Sequence, residues 1–226
     1  MNISKLITII VLLFLLWIVS TNAFAQNNMK NEGEHVAQDL TAQEWYSKAQ
    51  ALMDDKILRK PKEAIQYLDN AIKSQPDFAD AYIYRGKIYE SLGHYQQAID
   101  DCNTAIRLKP DNADAYICRG YAYGKLGQNQ REMKDCNTAI RLQPDNADAY
   151  ICRGHVYLKQ DQYQQTIKDC STAIRLKSDD AKAYIIRGGA YLLQGNNKLS
   201  CIDAKKACAR GNCDLLEFHN RNRTCH

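Results

Sequence analysis

Residues 77–110 read DFADAYIYRGKIYESLGHYQQAIDDCNTAIRLKP, and the chain then repeats this pattern. Residues 111–144 read DNADAYICRGYAYGKLGQNQREMKDCNTAIRLQP, and residues 145–178 read DNADAYICRGHVYLKQDQYQQTIKDCSTAIRLKS. Each segment is 34 residues long, and the three follow one another without a gap. Self-similarity at such a period indicates an array in which every unit buries its apolar face against its neighbours.

The repeat continues in both directions. Residues 179–212 keep the pattern in their first half and lose it in their second. Residues 41–76 form a looser unit with a short insertion near residues 56–60. We therefore predict a C-terminal cap or tail over residues 213–226 and an array of five units, with bounds 41–76, 77–110, 111–144, 145–178 and 179–212.

Each unit reads as two helices joined by a turn. In residues 111–144, Asp111 follows a proline and is expected to cap the first helix, while Asp114 suits the first turn because the helix dipole favours an acid there. Gly127 falls in the turn, and Pro144 ends the second helix because the residue before a proline disfavours the helical region.

The recurring residues resemble the tetratricopeptide repeat. The resemblance covers roughly residues 41–212 and is carried by the 34-residue period and by Tyr82, Gly86, Tyr89, Ala98, Ala105 and Pro110. Departures from it include Glu132 and Thr166, which take the place of the small residue Ala98. The resemblance implies an all-α, right-handed superhelix (an α-solenoid) of about five helix-turn-helix units with a C-terminal capping helix.

Arginine and aspartate recur together at a separation of 16 residues. An antiparallel hairpin brings the two positions together, so we expect one structural ion pair in each of four units: Arg85 with Asp101, Arg119 with Asp135, Arg153 with Asp169, and Arg187 with Asp203. The first unit lacks both residues and has Lys48 and Tyr67 at the matching places.

The resemblance also implies a concave groove, lined by the first helices, that binds a protein or peptide segment. Helical rotation places four isoleucines on the face away from the hairpin partner, and exposed apolar residues at a regular interval are typical of a contact site. The alternative is that these isoleucines fill the space between neighbouring first helices. The predicted groove residues are Ile83, Lys87, Ile117, Tyr121, Ile151, His155 and Ile185, with Asp80, Asp114 and Asp148 at the edge.

The sequence contains nine cysteines, an odd number, so at least one thiol stays free or pairs between chains. Within the array we favour reduced cysteines that pack as small apolar side chains. Bonds such as Cys102–Cys118 or Cys118–Cys136 are the alternative, and spacing does not choose between them.

Cys208 and Cys213 differ from the cysteines of the array because a helix end and a tight turn separate them. Gly211 suits the left-handed conformation of such a turn. We therefore predict a Cys208–Cys213 disulfide, with Cys201 and Cys225 as a second candidate pair. The ACARGNC stretch resembles the closing segment of some exported bacterial repeat proteins.

Catalytic and metal-binding patterns are weak. Cys152 and His155 lie three residues apart, and Cys225 precedes His226, but no CxxC pair accompanies them, so we predict no metal and no cofactor. No GxSxG, phosphate-binding loop or HExxH motif is present, so we predict no catalytic residues and no enzyme. A pocket that joined His155, Cys152 and an acid would argue against this prediction.

The N-terminus and the charge bear on location and partner. An apolar run over residues 6–19 follows one lysine and precedes small residues at positions 23 and 25, so we predict a signal peptide over 1–25, cut after Ala25, and a flexible leader over 26–40. An uncleaved signal that anchors the chain to a membrane is the alternative, and we predict no other association with membranes. The net charge of +4 without a basic run argues against nucleic acid as a partner.

These observations predict a periplasmic or secreted adaptor or scaffold that binds a protein or peptide, with no small-molecule substrate. A secreted effector or regulator, or an accessory subunit of a cell-envelope enzyme, is the alternative.

Overall fold

The computed structural model describes residues 40–54, 57–58 and 60–225. The expected signal peptide and nearly all of the expected leader lie outside these residues. The described part is helical apart from two short strands, and none of its helices is long and apolar enough to cross a membrane.

The described residues form eleven helices, paired as hairpins of about the predicted size. In chain order they are α1 (Ala42–Ala51), α2 (Pro61–Ser74), α3 (Ala79–Ser91), α4 (Tyr95–Leu108), α5 (Ala113–Lys125), α6 (Asn129–Leu142), α7 (Ala147–Lys159), α8 (Tyr163–Leu176), α9 (Ala181–Leu193), α10 (Asn197–Cys208) and α11 (Asp214–Arg221). Unit 1 is α1 and α2, and units 2 to 5 follow in pairs up to α10.

Local sequence explains where the helices begin and end. Asn112, not the predicted Asp111, caps α5, because its side-chain oxygen accepts the backbone N–H of Asp114 at 3.0 Å. The turn after α5 contains Gly127 at φ +74°, a conformation that glycine adopts without steric cost. Asn146 caps α7 in the same way.

Small buried residues let the helices approach one another. Alanines with no exposed surface, such as Ala105, Ala139 and Ala173, recur on the second helices, and large side chains pack around them. The hydroxyl of Tyr116 on α5 donates to the carbonyl of Pro110 at 3.0 Å, and Tyr150 makes the equivalent bond to Pro144. These contacts join α5 and α7 to the end of the preceding unit.

The hairpins stack into the right-handed superhelix that the sequence predicts. Each first helix contacts its own second helix, and each of α3, α5, α7 and α9 also contacts the second helix of the unit before. First helices contact one another from α3 to α5, α5 to α7 and α7 to α9. Each repeat packs on its neighbours, so the core is a series of apolar clusters that follow one another along the stack. The fold is all-α.

Two details lie at the ends of the array. In unit 1, strands β1 (Met53–Asp54) and β2 (Ile57–Leu58) pair antiparallel, with Met53 opposite Leu58, at the predicted insertion. At the other end α11 caps unit 5. A Cβ atom on Gly188 of α9 would lie 2.6 Å from Leu215 of α11, so this glycine makes room for the cap.

Candidate functional site

In units 2 to 5, an Arg–Asp contact ties the first helix to the second helix. In every case Nε and Nη2 of the arginine donate to the two carboxylate oxygens of the aspartate, at 2.7–2.9 Å, in the pairs Arg85–Asp101, Arg119–Asp135, Arg153–Asp169 and Arg187–Asp203. The hydrogen bonds to Asp135 raise the pKa of Arg119, which therefore stays charged. Bidentate geometry of this kind gives strong, directional pairing.

Each of these arginines also reaches back to the preceding unit. Nη1 of Arg119 donates to the side-chain oxygen of Asn103 at 2.8 Å, and Nη1 of Arg153 donates to Asn137 at 3.0 Å. In unit 1, where the pair is missing, Lys48 lies 5.3 Å from the centre of the Trp45 ring and 5.9 Å from that of Tyr67. The arginines therefore hold the stack together rather than line a binding surface.

The expected exposed row of isoleucines is wrong for three of its four members. Ile83, Ile117 and Ile151 are only 5%, 4% and 1% exposed. Each packs against an alanine on the first helix of the next unit, for example Ile83 against Ala115. The face that points away from the hairpin partner points at the neighbouring first helix, so these side chains fill the space between units.

Ile185 differs because the short helix α11, and not another hairpin, follows unit 5. It is half-buried and lines a cavity of about 340 Å³. The cavity has an apolar wall and a charged rim, and all of its lining comes from first helices: Glu90, Tyr121, Lys125, Ile151, His155, Lys182, Ile185 and Ile186.

A second cavity, of about 290 Å³, shares part of this wall. It is lined by Lys87, Glu90, Ser91, Asp114, Ile117, Cys118, Tyr121, Asp148 and Lys182. Glu90 on α3 and Lys182 on α9 line both cavities, so the superhelix curves until helices three units apart face one space. A third, smaller cavity next to it is lined by Tyr46, Asp80, Ile83, Tyr84, Lys87 and Asp114.

We call these three adjoining cavities the groove. It contains Lys87, Tyr121, His155 and the three predicted aspartates, while the buried isoleucines contribute only its floor. Tyr121 stands where the two larger cavities meet. Burial, and then the nearby Asp148, raise the pKa of Tyr121 well above its usual value, so its hydroxyl stays neutral.

Charges along the groove change from unit to unit. Asn112 donates to Asp80 at 3.4 Å, and Asn146 donates to Asp114 at 3.2 Å. The third such pair would join position 180 to Asp148, but position 180 is an aspartate and cannot donate a hydrogen bond as the asparagines do. Within the described residues, no side chain donates to the carboxylate of Asp148. Lys182 takes the place of the aspartate in unit 5, with Nζ 5.9 Å from the centre of the Tyr121 ring.

Glu132 forms a buried charged cluster beside the groove that the sequence did not predict. Its carboxylate is wholly buried, 3.0 Å from Nδ1 of His155 and 3.1 Å from Nζ of Lys159, and Nζ also donates to the carbonyl of Gly124. A Cβ atom on Gly124 would collide with the carboxylate. The sequence did contain an indication of this cluster, because Gly124 and Glu132 both differ from the residues at the equivalent positions of the other units.

The cysteines of the array are mostly bonded, so the expectation of reduced packing thiols is wrong for four of them. Disulfides join Cys102 on α4 to Cys118 on α5, and Cys136 on α6 to Cys152 on α7, across Cα–Cα distances of 6.2 and 5.7 Å. The stacking of units brings these positions together because each first helix packs on the second helix before it. We call these two bonds the staples.

Cys170 is the one free cysteine in the described part of the chain, and it is buried. Burial raises the pKa of its thiol to about 12. Cys152 is on the same helix as His155, but its sulfur belongs to a staple and offers no thiolate. His155 and Glu132 are therefore in contact, but Cys152 is not available to them as a nucleophile.

Two more disulfides close the C-terminal part. Cys208 is bonded to Cys213 with a Cα–Cα distance of 4.0 Å, and Cys201 is bonded to Cys225 at 5.6 Å. Disulfides of this number are consistent with an extracellular location, since cytosolic proteins rarely keep them.

Comparison with known families agrees with this architecture. Tetratricopeptide repeat models match residues 67–100, 113–146 and 147–180, and a further TPR repeat model matches residues 86–127. Together they span residues 67–180, half of the chain. The chain belongs to the tetratricopeptide repeat family.

Solved structures share the fold at low sequence identity. A thermophilic tetratricopeptide repeat protein of Thermus thermophilus is 18% identical with a TM-score of 0.70, covering 81% of this chain and 98% of its own. PilW, a type IV pilus biogenesis factor, is 20% identical with a TM-score of 0.63, covering 75% and 77%. YrrB, a protein with an unusual peptide-binding site, is 20% identical with a TM-score of 0.52, covering 88% and 98%.

These likenesses show the fold alone. The tetratricopeptide fold supports a role in protein–protein interaction, and proteins built from it are generally scaffolds without enzymatic activity.

Proposed function

We propose that this chain is an exported adaptor that holds a segment of another protein in the groove between its first helices. The observation that supports this most is the pair of adjoining cavities that share Tyr121. A concave surface with apolar walls and a few charged groups is typical of a binding site.

The groove favours a segment that carries both apolar and charged side chains. The half-buried Ile185 and Ile186 offer an apolar wall at the unit 5 end. Asp148 and Lys182 lie between that wall and the unit 2 end, and both have charges that no ion pair within the described residues neutralises. An extended or helical segment can place an apolar side chain against the isoleucines and direct its polar groups at these two charges.

The buried isoleucines stabilise the groove rather than contact its occupant. Replacing Ile117 or Ile151 by aspartate would place a charge in the core between units and unfold the stack. A test of binding must therefore change exposed residues of the groove.

Export places the groove outside the cytoplasm. The predicted signal peptide over residues 1–25, with cleavage after Ala25, directs the chain to the periplasm or the medium, where the disulfides form. N-terminal sequencing of protein recovered from periplasm and medium distinguishes the cleaved form from an anchored one.

Site-specific photo-crosslinking in the producing cells tests the groove. A photoreactive amino acid replaces one exposed lysine at a time, either in the groove (Lys87, Lys125 and Lys182) or on outer second helices (Lys73, Lys134 and Lys168). Both sets exchange one exposed lysine for the same probe, so folding effects are matched.

We expect the groove set to crosslink to the same protein, identified by mass spectrometry, and the outer set to give none of it. Crosslinks to that protein from the outer set alone, or equally from both sets, contradict the proposal.

A further inference from the structure

The last helix and the residues after it bring three metal-binding side chains together. Cys201 comes from α10, His219 from α11 and Cys225 from the segment that follows. Their two sulfur atoms and one imidazole nitrogen lie within 4.8 Å of one another. Of the Cys–His neighbours found in the sequence, Cys225 is part of this cluster, while Cys152 and His155 are not.

His219 is held in one orientation. Its side chain is wholly buried, with Nε2 2.7 Å from the Ser200 hydroxyl and Nδ1 2.6 Å from the Thr224 hydroxyl. A histidine that binds a metal through one ring nitrogen usually donates a hydrogen bond from the other. Both nitrogens have a hydroxyl partner here, so one nitrogen would exchange its hydrogen bond for the metal while the other keeps its own.

We propose that Cys201, His219 and Cys225 form a binding site for Zn²⁺ when the Cys201–Cys225 disulfide is reduced. Two thiolates and one imidazole are ligands that zinc prefers, and three protein ligands leave a fourth position for water. A tetrahedral zinc with Zn–S bonds of about 2.3 Å separates its ligand atoms by roughly 3.7 Å. The imidazole nitrogen already lies within 4.8 Å of both sulfur atoms. The two bonded sulfurs must move apart to this spacing after reduction, which rotation of the two side chains allows because their Cα atoms lie 5.6 Å apart.

The chemistry has two balanced steps. A dithiol reductant gives two protons and two electrons to the Cys201–Cys225 bond, which becomes two thiols while the reductant becomes a cyclic disulfide. Zn²⁺ then binds both sulfurs and His219, and the two thiol protons pass to water. The same three residues thus fix the chain end to α10 in two ways, through a disulfide under oxidising conditions and through zinc after reduction.

Selective reduction is feasible because the disulfides differ in burial. All four cysteines of the staples are buried, whereas Cys208, Cys213 and Cys225 are partly exposed. Thiol–disulfide exchange requires access to a sulfur, so a brief treatment of folded protein opens the two C-terminal bonds first. Replacing Cys208 and Cys213 by serine leaves Cys201–Cys225 as the accessible bond.

The experiment uses the full chain with the Cys208→Ser and Cys213→Ser changes. It is treated with dithiothreitol, desalted without oxygen and titrated with Co²⁺ as a spectroscopic substitute for Zn²⁺. We expect one Co²⁺ per chain, with sulfur-to-cobalt charge-transfer absorption and the intense visible bands of tetrahedral cobalt. Zn²⁺ should then displace the cobalt and raise the thermal midpoint of the reduced protein, while the oxidised protein binds neither ion.

Two conservative variants in the same background identify the ligands. His219→Gln keeps hydrogen-bonding groups near Ser200 and Thr224, and Cys201→Ser keeps the size of the side chain. Because loss of an outer hydrogen-bond partner alone weakens metal binding about 10–100-fold, loss of a ligand should weaken it at least about 100-fold. A missing cobalt spectrum in the reduced parent, or a spectrum unchanged in either variant, overturns the proposal.

Discussion

The junction between units 3 and 4 and the junction between units 4 and 5 have the same helix arrangement but different chemistry. The first is joined by the Cys136–Cys152 staple and by the wholly buried Glu132 with His155 and Lys159. The second is joined by neither. In the second junction, Cys170 and Ile186 stand at the positions of the two bonded cysteines. Thr166, Gly189 and Leu193 stand at the positions of Glu132, His155 and Lys159.

What the two junctions share explains why both form. In each, the arginine of the first helix binds its own aspartate and reaches back to the preceding unit, where Arg153 finds Asn137 and Arg187 finds Ser171. Buried alanines fill the space between helices in both. The recurring residues therefore set the stacking geometry, and the residues that vary set how strongly each junction holds.

The largest effect should follow from removing the cation of the buried cluster. Lys159→Met keeps the stem of the side chain but leaves the Glu132 carboxylate, which is 0% exposed, without its ammonium group. We expect a loss of about 3 kcal/mol in the free energy of unfolding in urea. Lys125→Met, at the equivalent exposed position of unit 3, should change it by less than about 0.5 kcal/mol.

Removing the buried carboxylate should lower the free energy of unfolding by less than removing the ammonium group. Glu132→Ala removes the buried charge itself, and the side chains of His155 and Lys159 are 32% and 28% exposed, so both can turn to water. Equal losses in Lys159→Met and Lys125→Met would show that the cluster does not hold this junction.

Adding a staple should make the second junction resemble the first. Ile186→Cys places a thiol opposite Cys170 at the 16-residue separation of the existing staples. We expect a new disulfide and a gain of about 2 kcal/mol in the free energy of unfolding. Thiol labelling of denatured protein should fall from one reactive group to none, and Ile186→Ser controls for the lost apolar contact. Two labelled thiols in the variant would contradict the proposed register.

The effect of Gly124→Ala on stability should be smaller, and it should have opposite signs with and without the Glu132 carboxylate. Gly124→Ala in the parent pushes a methyl group into the Glu132 carboxylate, and we expect it to destabilise the fold. In a Glu132→Ala background the space is empty, so the same change should stabilise α5 by about 1 kcal/mol through helix propensity alone. Urea unfolding of the four proteins in this cycle measures both values, and the same sign in both backgrounds would refute the contact.

The smallest effect concerns the free thiol at the second junction. Folded Cys170 holds its proton up to about pH 12, while the unfolded thiol releases it near pH 9.0. Stability therefore falls as the pH rises through this window. We expect Cys170 to account for roughly 0.8 kcal/mol of loss between pH 7 and pH 9.5. In Cys170→Ala that part of the pH dependence should vanish, and an unchanged dependence would contradict the buried thiol.

The sequence was sufficient for the fold because its information repeats. A period of 34 residues with Tyr, Gly, Ala and Pro at fixed places predicts hairpins, their order and their stacking without any long-range contact being known. The cap was predicted one residue early, at Asp111 instead of Asn112, because both residue types serve as caps and only the backbone distinguishes them.

The site was less predictable because it depends on the curvature of the stack. Helical rotation correctly placed Ile117 away from its hairpin partner, but only the packing of neighbouring first helices shows that this direction is buried. The cavity against Ile185 lies where α11, and not another first helix, follows unit 5. The pairing of Cys102 with Cys118 likewise depends on how one unit sits on the next.

The spacing of the staples also bears on how such an array changes length over evolution. Each bond spans 16 residues and crosses from one 34-residue unit into the next. If recombination between similar repeats deleted residues 111–144, Cys102 would meet Cys152 at that same spacing. A shortened descendant would therefore inherit a working cross-link instead of two orphaned thiols, and a lengthened one would gain another.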